Sequence, residues 1–519
     1  MKLVTAAQMR ELDRLTIQEF GTPGIELMKR AGQAVVNSLE GHFEWVLADG
    51  RPIVVLAGKG NNGGDAFIAV HELIERGHEA VSVVMVADED ELQGDARAAF
   101  QIMEEHQPPI LRLSGMKSLS TLEAELRAST LIIDGLLGTG TRGPVRGRMA
   151  DIINVVNESR RLVLSIDIPS GLDGDEGRPL NVAVLATQVV TLALPKVGLV
   201  KNRGLDYSSH IDVADIGIPF YYIEEIEAPA EMIVREEVRE LLPKRWNISH
   251  KGDYGHVVVL GGAAGYAGAP VLAGLGALRA GAGLVTVGVP ASVYPIAAGM
   301  RPELMVAPLP DEGGGRLSPA SLPEVQRLIE RASACVIGPG MTTDPRAVEW
   351  LRRVLPLLRA PVILDADALN IVALHPELPG AVQAPLILTP HPGEMARLAK
   401  RPVADIQADR WSAVQDYLQA RSANLILKGA GTLVSAPREA VWVNATGNPG
   451  MATAGMGDVL SGVVAGLVGQ GLQPFDACRA GVFLHGLAGD YACYRESEQA
   501  MTASDVLDCM REAFNTTLA

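Results

Sequence analysis

The residues of this chain best placed to do chemistry are carboxylates that follow short β-branched runs and stand beside glycine-rich loops. In the first half, Leu131–Gly135 delivers Asp134 and then 138-GTGTRGP-144, while Leu162–Ile168 delivers Asp167 and then 169-PSGLDGD-175. A third run, 53-IVVLAGKGNNGGDAF-67, spaces Gly58, Gly60 and Gly63 as G-x-G-x-x-G and adds Asn61, Asn62, Gly64 and Asp65. Free N–H groups and the helix dipole at such a turn make an anion site. The glycine spacing alone is a weak signal, but the amide and carboxylate side chains are more polar equipment than a structural turn requires. An aspartate at a strand end is commonly only a helix N-cap. Three polar loops together point to a site, because ligands of an open parallel sheet bind beyond the carboxyl ends of its strands. Asp167 is the candidate for moving protons. Lys196, in 194-LPKVGL-199, either assists it or is a solvated lysine after a strand.

In the second half, 447-GNPGMATAGMGDVLSG-462 runs from a glycine-rich loop into an apolar helix, with Asp458 at the helix start behind Gly455 and Gly457. Unpaired N–H groups there can stabilise charge on a transferring phosphoryl group while the carboxylate accepts a proton from a hydroxyl; the bland alternative is a dipole partner. No G-x-x-x-x-G-K-[ST] cradle occurs, so phosphate must be held otherwise. Five more loops follow strand-like runs: 261-GGAAGYAGAPVLAG-274, 338-GPGMTTD-344, 365-DADALN-370, 389-TPHPGE-394 and 428-KGAGT-432. His391, between two prolines, is either a capped turn residue or a substrate contact. Asp365, Asp367 and Asn370 either orient a magnesium-bound phosphate or cap the next turn.

The elements that must position these loops alternate. Pro52–Gly58, Val81–Val86, Leu131–Gly135, Leu162–Ile168 and Gln188–Leu194 read as buried strands, with helices near 66–76, 92–106, 119–128 and 148–158 after a helical entry from Ala7 to about Leu39. Strand-then-helix order implies an α/β fold with a mostly parallel sheet. Around 220–235 the chain turns acidic and loses periodicity, and a linker is placed there. The alternation restarts at His256 and ends in AVWVN and two long helical stretches, about 454–469 and 475–494. The expectation is therefore two doubly wound domains, a Rossmann-like one over 1–222 and a second over 236–519, joined by a linker at 223–235.

Composition agrees and narrows the function. The 519 residues suit about two to four domains, and 48% apolar against 20% charged residues supply a core and exclude general disorder. A net charge of −16, from 45 Lys and Arg against 61 Asp and Glu, argues against a nucleic acid or an anionic membrane as partner. The four cysteines have neither disulfide-framework nor zinc-finger spacing. There is no apolar signal region and no run long enough to span a bilayer. A cytoplasmic protein is expected.

At this point the motifs resemble a known family. GKGNNGGDAF, DGLLGTG and SIDIPSGL together resemble the NAD(P)H-hydrate epimerase domain, and the loops of the second half resemble the ribokinase-like ADP/ATP-dependent NAD(P)H-hydrate dehydratase. The first resemblance implies that Asn61, Asn62, Gly63, Gly64 and Asp65, with Gly138, Thr139, Gly140, Thr141, Arg142, Gly143 and Pro144, contact hydrated NADH or NADPH. It also implies that Asp167 lies at the reacting ring and that Asn62, Asp134 and Ser170 hold a potassium ion, a set of oxygen donors that suits a hard cation. The second implies that Lys428, Gly429, Ala430, Gly431, Thr432 and Gly457 bind the adenine nucleotide. Ala269, Gly340, His391 and Asp458 would then bind the hydrated substrate, with Asp458 the catalytic base; Ala454 stands where relatives often carry glycine. The implied chemistry is phosphorylation of the ring hydroxyl by ADP, with magnesium, so that it leaves as phosphate; AMP is the other product. A homo-oligomer is also expected. The competing reading is a vitamin-precursor or sugar kinase fused to a non-catalytic nucleotide-binding or scaffold module.

Overall fold

Seven parallel strands form the first sheet: β1 (Ile53–Ala57), β2 (Val81–Met85), β3 (Ile110–Arg112), β4 (Leu131–Gly135), β5 (Leu162–Ile166), β6 (Gln188–Leu192) and β7 (Ile211–Ala214). Their order is β3-β2-β1-β4-β5-β6-β7. All neighbouring pairs are parallel, so the side chains of the central strands are buried on both faces. The helices α1 (Ala6–Arg14), α2 (Gly24–His42), α3 (Asn61–Glu75), α4 (Gly94–Glu104), α5 (Ser120–Ala128) and α6 (Gly147–Ser159) accompany them. One apolar cluster packs α2 and α3 on one face, and a second packs α5 and α6 on the other. This computed structural model describes residues 1–113 and 119–519. The chain divides into two units, Met1–Ala230 and Glu231–Ala519.

In the second unit, β8 (His256–Leu260), β9 (Leu284–Pro290), β10 (Met305–Leu309), β11 (Ala334–Ile337), β12 (Val362–Leu364), β13 (Leu386–Leu388), β14 (Asn424–Leu427), β15 (Thr432–Ser435) and β16 (Trp442–Asn444) lie in the order β16-β15-β14-β13-β12-β11-β8-β9-β10. Strands β8 to β14 pair in parallel, whereas β14–β15 and β15–β16 are antiparallel. That corner departs from a purely doubly wound sheet because only four residues, 428–431, separate β14 from β15, too few for a crossover. The helices that matter to the site are α7 (Gly268–Arg279), α8 (Asp367–Leu374), α9 (Pro392–Ala399), α10 (Arg410–Leu418), α11 (Met456–Gly469) and α12 (Pro474–Glu496). A further helix, α13 (Ala503–Leu518), closes the apolar cluster over α7 and α11.

Several boundaries differ from those read in the sequence. Asn61–Asp65 is the first turn of α3 rather than a loop before it. Gly63 is required there, since a Cβ would lie 1.9 Å from the Gly58 carbonyl oxygen. Strands β5 and β6 stop at Ile166 and Leu192, because Asp167 (φ +65°) and Ala193 (φ +60°) turn into the left-handed region. The stretch 220–235, read as a linker, carries a short helix (Phe220–Glu225) and a strand (Ala230–Met232). Local pattern misses that helix because Lys2 Nζ caps it from the far end of the unit, donating to the carbonyls of Ile223 (3.0 Å), Glu224 (2.7 Å) and Ile226 (2.7 Å). Among the described residues no helix is long and apolar enough to cross a membrane.

Candidate functional sites

The strand order of the first sheet reverses between β1 and β4, the place where open α/β sheets take their ligands, in the crevice between the loops. The loops after these strands meet there: a Cβ on Gly138 would lie 3.3 Å from Asn62 Cβ. No side chain caps α3, so its first N–H groups stay available to a ligand. The loop 138–144 is tied by Thr141, whose N–H (3.2 Å) and hydroxyl (3.1 Å) both donate to the Gly138 carbonyl. Arg142, Gly143 and Pro144 at its tip are exposed.

Beneath this crevice lies a buried oxygen cluster. Asp134 has no exposed surface and accepts from the Ser170 hydroxyl (2.6 Å), the Ser170 N–H (2.9 Å) and the Ser165 hydroxyl (2.8 Å). Ser170 Oγ in turn accepts from the Leu137 N–H at 2.8 Å, and the Leu137 carbonyl accepts from Asn62 Nδ2 at 3.1 Å. Burial raises the Asp134 pKa against the pull of these bonds. Asn62 Oδ1 is buried without a hydrogen-bond partner. Asn62, Asp134 and Ser170 are thus brought together, with one amide oxygen left without a partner near a buried carboxylate.

A second cluster gathers at Asp167. Lys196 is fully buried and ion-pairs with Asp167, while donating to the Leu192 carbonyl (2.9 Å) and the Thr191 hydroxyl (3.2 Å). The solvated-lysine reading of Lys196 is therefore wrong. Two further carboxyls face this pair. Asp65 has its pKa raised well above the ordinary range by burial, then by the charges of Asp167 and Asp13. Asp13 is pushed to about 6 by burial, with Lys196 pulling down and Asp167 pushing up. Asp13 was not picked out in the sequence. It arrives on α1, whose first N–H, at Ala6, donates to Asp175 Oδ1 at 2.6 Å, and the preceding Val4 bonds to Pro195 and Val197. Its only local signal is a charged residue next to a buried Leu12.

In the second sheet the order reverses between β8 and β11. There Gly340 (φ +64°) sits against Ala269 and Tyr266: a Cβ on it would lie 2.8 Å from the Tyr266 carbonyl and 3.4 Å from Ala269 Cβ. Tyr266 is exposed at this rim and was not singled out in the sequence. One turn beyond Ala269, Leu272 meets Gly455, the left-handed residue that opens α11. No side chain caps α11.

Lys428 is the hub of this site. Its Nζ lies 2.8 Å from Asp365 Oδ1 and 3.9 Å from Glu394 Oε2, and a Cβ on Gly457 would come within 3.0 Å of it. Burial opposes its charge, but Asp365 and Glu394 outweigh that and raise its pKa. Asp458 is pushed up to about 7 by burial and by Asp365, against the pull of Lys428. Glu394 reaches about 7 for the same reasons. Two carboxyls whose pKa is held near neutral pH thus feel the charge of one largely buried ammonium group, an arrangement typical of acid–base sites.

The loop 428–432 is held by a residue that the sequence did not reveal. Arg410, at the start of α10, donates to the carbonyls of Leu427 (3.0 Å), Lys428 (3.2 Å), Gly431 (3.2 Å) and Ala430. Gly429 (φ +135°) and Gly431 (φ +59°) make the tight path possible, and the Thr432 hydroxyl closes it onto the Gly429 carbonyl at 2.8 Å. His391 caps α9: its Nδ1 accepts from the Gly393 N–H (3.0 Å), which leaves the proton on Nε2. Asp367 accepts from the Thr342 N–H (2.9 Å) and Asn370 from Arg397 (2.9 Å), while the Asp367 charge still acts on Asp458. Asp365 stays in the site, beside Ala366, whose φ of +49° and ψ of −118° mark backbone strain at the rim.

Comparison with known proteins decides the family. The NAD(P)H-hydrate dehydratase family matches residues 257–512, and the family described as YjeF-related protein N-terminus matches residues 24–198. The bifunctional NAD(P)H-hydrate repair enzyme Nnr of Moorella thermoacetica is 43% identical over 98% of this chain and 96% of its own length. The chain belongs to the bifunctional NAD(P)H-hydrate repair enzymes. The member of this family from Coxiella burnetii is 36% identical over 98% of both chains. A solved ADP/ATP-dependent NAD(P)H-hydrate dehydratase from Bacillus subtilis, co-crystallised with ATP and Mg2+, is 29% identical; the match covers 56% of this chain and 99% of that one, with a TM-score of 0.49.

Proposed function

We propose that the first unit interconverts the R and S epimers of hydrated NADH and NADPH, and that the second returns the S epimer to the reduced coenzyme, driven by ADP and yielding AMP and phosphate. The observation that carries this is the recurrence, beyond the carboxyl ends of the strands of each sheet, of carboxyls gathered round a single lysine, Lys196 after β6 in one and Lys428 after β14 in the other.

Epimerisation needs the ring C–O bond to open, pushed by the ring nitrogen's lone pair, and to re-form on the other face. An acid must protonate the departing hydroxyl and a base must take a proton from the returning water. Asp167, fixed by Lys196, and Asp13, which titrates near 6, are the pair available for these transfers. The rim residues Asn61–Asp65 and Gly138–Pro144 bind the nucleotide. Asn62, Asp134 and Ser170 would hold potassium, which supplies fixed positive charge under the crevice. Replacing potassium by a large organic cation then lowers the melting temperature of the parent; equal melting in both salts would exclude that site.

In the second unit Asp458 takes the proton from the ring hydroxyl as its oxygen attacks the terminal phosphorus of ADP. The β-phosphate leaves AMP, the lone pair of the ring nitrogen then expels it from the ring as phosphate, and loss of a proton from the neighbouring ring carbon neutralises the resulting iminium and restores the reduced ring. Lys428 and the uncapped start of α11, with Gly457, face the phosphates. Gly429, Ala430, Gly431 and Thr432 bind the nucleotide; Ala269, Gly340 and His391 bind the hydrated ring. Asp365 and Asp367 are engaged by Lys428 and the Thr342 N–H, so magnesium would be held chiefly by the phosphates.

The test is to incubate mixed epimers of NADH hydrate with the protein and ADP, following reduced-nicotinamide absorbance and phosphate release. Complete consumption with one phosphate per coenzyme is expected. A halt near half would remove the epimerase assignment, and an accumulating phosphoester would make the second unit a kinase.

A further inference from the structure

On the first unit, away from the crevice, His71, Glu75 and His106 bring their ligating atoms within 4.8 Å of one another. His71 and Glu75 are four residues apart on α3 and so share one face of the helix; His106 lies just beyond α4. Nδ1 of His71 faces Nε2 of His106 at 2.8 Å, and Glu75 Oε1 lies 3.4 Å from the same Nε2. Two imidazole nitrogens at that separation can share only one proton, so one lone pair already points into the cluster. We propose that these three side chains form a binding site for a borderline divalent transition-metal ion, zinc in the first instance.

The geometry suits the ion. Four donors at zinc–nitrogen and zinc–oxygen distances stand about 3.3 Å apart at tetrahedral angles. The pair at 3.4 Å matches this, and the pair at 2.8 Å needs a small side-chain rotation to open. Two imidazoles and one carboxylate are a ligand set that favours zinc, nickel or copper over magnesium or calcium. The His106 side chain is 19% exposed and that of Glu75 59%, so the ion can enter from solvent and a water can complete its shell. The site lies ten residues along α3 from Asn61, about 15 Å from the crevice. Its effect is a clamp: it ties the body of α3 to the exit of α4. These helices already touch at Gly64, where a Cβ would lie 3.1 Å from Ala96 Cα, so the clamp steadies the helix that presents Asn61–Asp65.

The full chain, stripped with a chelator, is titrated with zinc sulfate by calorimetry. One ion per chain is expected, with affinity reduced at least tenfold in both His71→Gln and His106→Gln and epimerase turnover of each chelated variant equal to that of the chelated parent. Cobalt bound to the unaltered protein should give the visible bands of a four-coordinate nitrogen and oxygen site. Absence of binding at 100-fold molar excess of zinc, equal affinity in the parent and both variants, or a cobalt–thiolate charge-transfer band that places the ion on a cysteine would each overturn the proposal.

Discussion

Replacing Asp365 by Asn tests how the site of the second unit sets the protonation of Asp458, its proposed base. Asp458 stands about 3 pKa units above an ordinary aspartate, at about 7, a differential of roughly 4 kcal/mol between its two forms. Burial is the largest cause and Asp365 the next, ahead of Glu394 and Asp367. Removing the Asp365 charge takes away a repulsion and also frees Lys428 to act on Asp458, so both effects lower the pKa. A fall of about one unit, roughly 1.4 kcal/mol, is expected. As the proposed base, Asp458 must be ionised to take the proton, so turnover is expected to climb with pH through this value. At pH 6 the parent has about one-tenth of its base ionised and the variant about half, so relative to its own plateau the variant gains about fivefold. Asp365 is buried and pairs with Lys428, so the change also costs about 3 kcal/mol of stability, at the low end for a broken buried pair because Glu394 stays 3.9 Å away. The assay is kcat against pH for dehydration of the S epimer, read by absorbance well below the melting temperature. An acid limb that stays near pH 7, or moves up, would refute the reasoning; so would a limb that persists in Asp458→Asn.

Three further outcomes follow from the same geometry. Asp167→Asn should slow epimer interconversion, measured by chromatography, by about 100- to 10,000-fold, leave dehydration of the S epimer intact, and lower stability by about 3–5 kcal/mol because Lys196 loses its partner in the interior. Gly63→Ala forces a Cβ onto a carbonyl oxygen and should cost about 1–3 kcal/mol or more in a denaturant titration, whereas Gly60→Ala meets nothing within 4 Å and should be tolerated. Asp458 and Glu394 both titrate near 7 in the folded chain, well above their unfolded values. Their contribution to stability is therefore full below about pH 4 and lost as pH rises to 7. Asp458→Asn should flatten the dependence of melting temperature on pH in that window, and an unchanged slope would exclude Asp458 as the titrating group.

The sequence by itself determined the two α/β units and most of their strands, since β-branched runs such as Ile53–Ala57 and Leu131–Gly135 are buried on both faces and carry that signal locally. It also determined which loops crowd the strand ends, because glycines at fixed offsets report on the backbone near them. What only the tertiary structure decided is which polar groups meet. Asp13 reaches Lys196 across more than 180 residues, and Arg410 grips the carbonyls of a loop 17 to 21 residues ahead. The helix at 220–225 is finished by a lysine near the opposite terminus. None of these has a local pattern, because a buried ion pair or a remote cap depends on the partner's position in space and leaves nothing periodic in the chain. The same reason explains Lys196, whose neighbours in sequence gave no hint that folding would strip it of water and set it against Asp167.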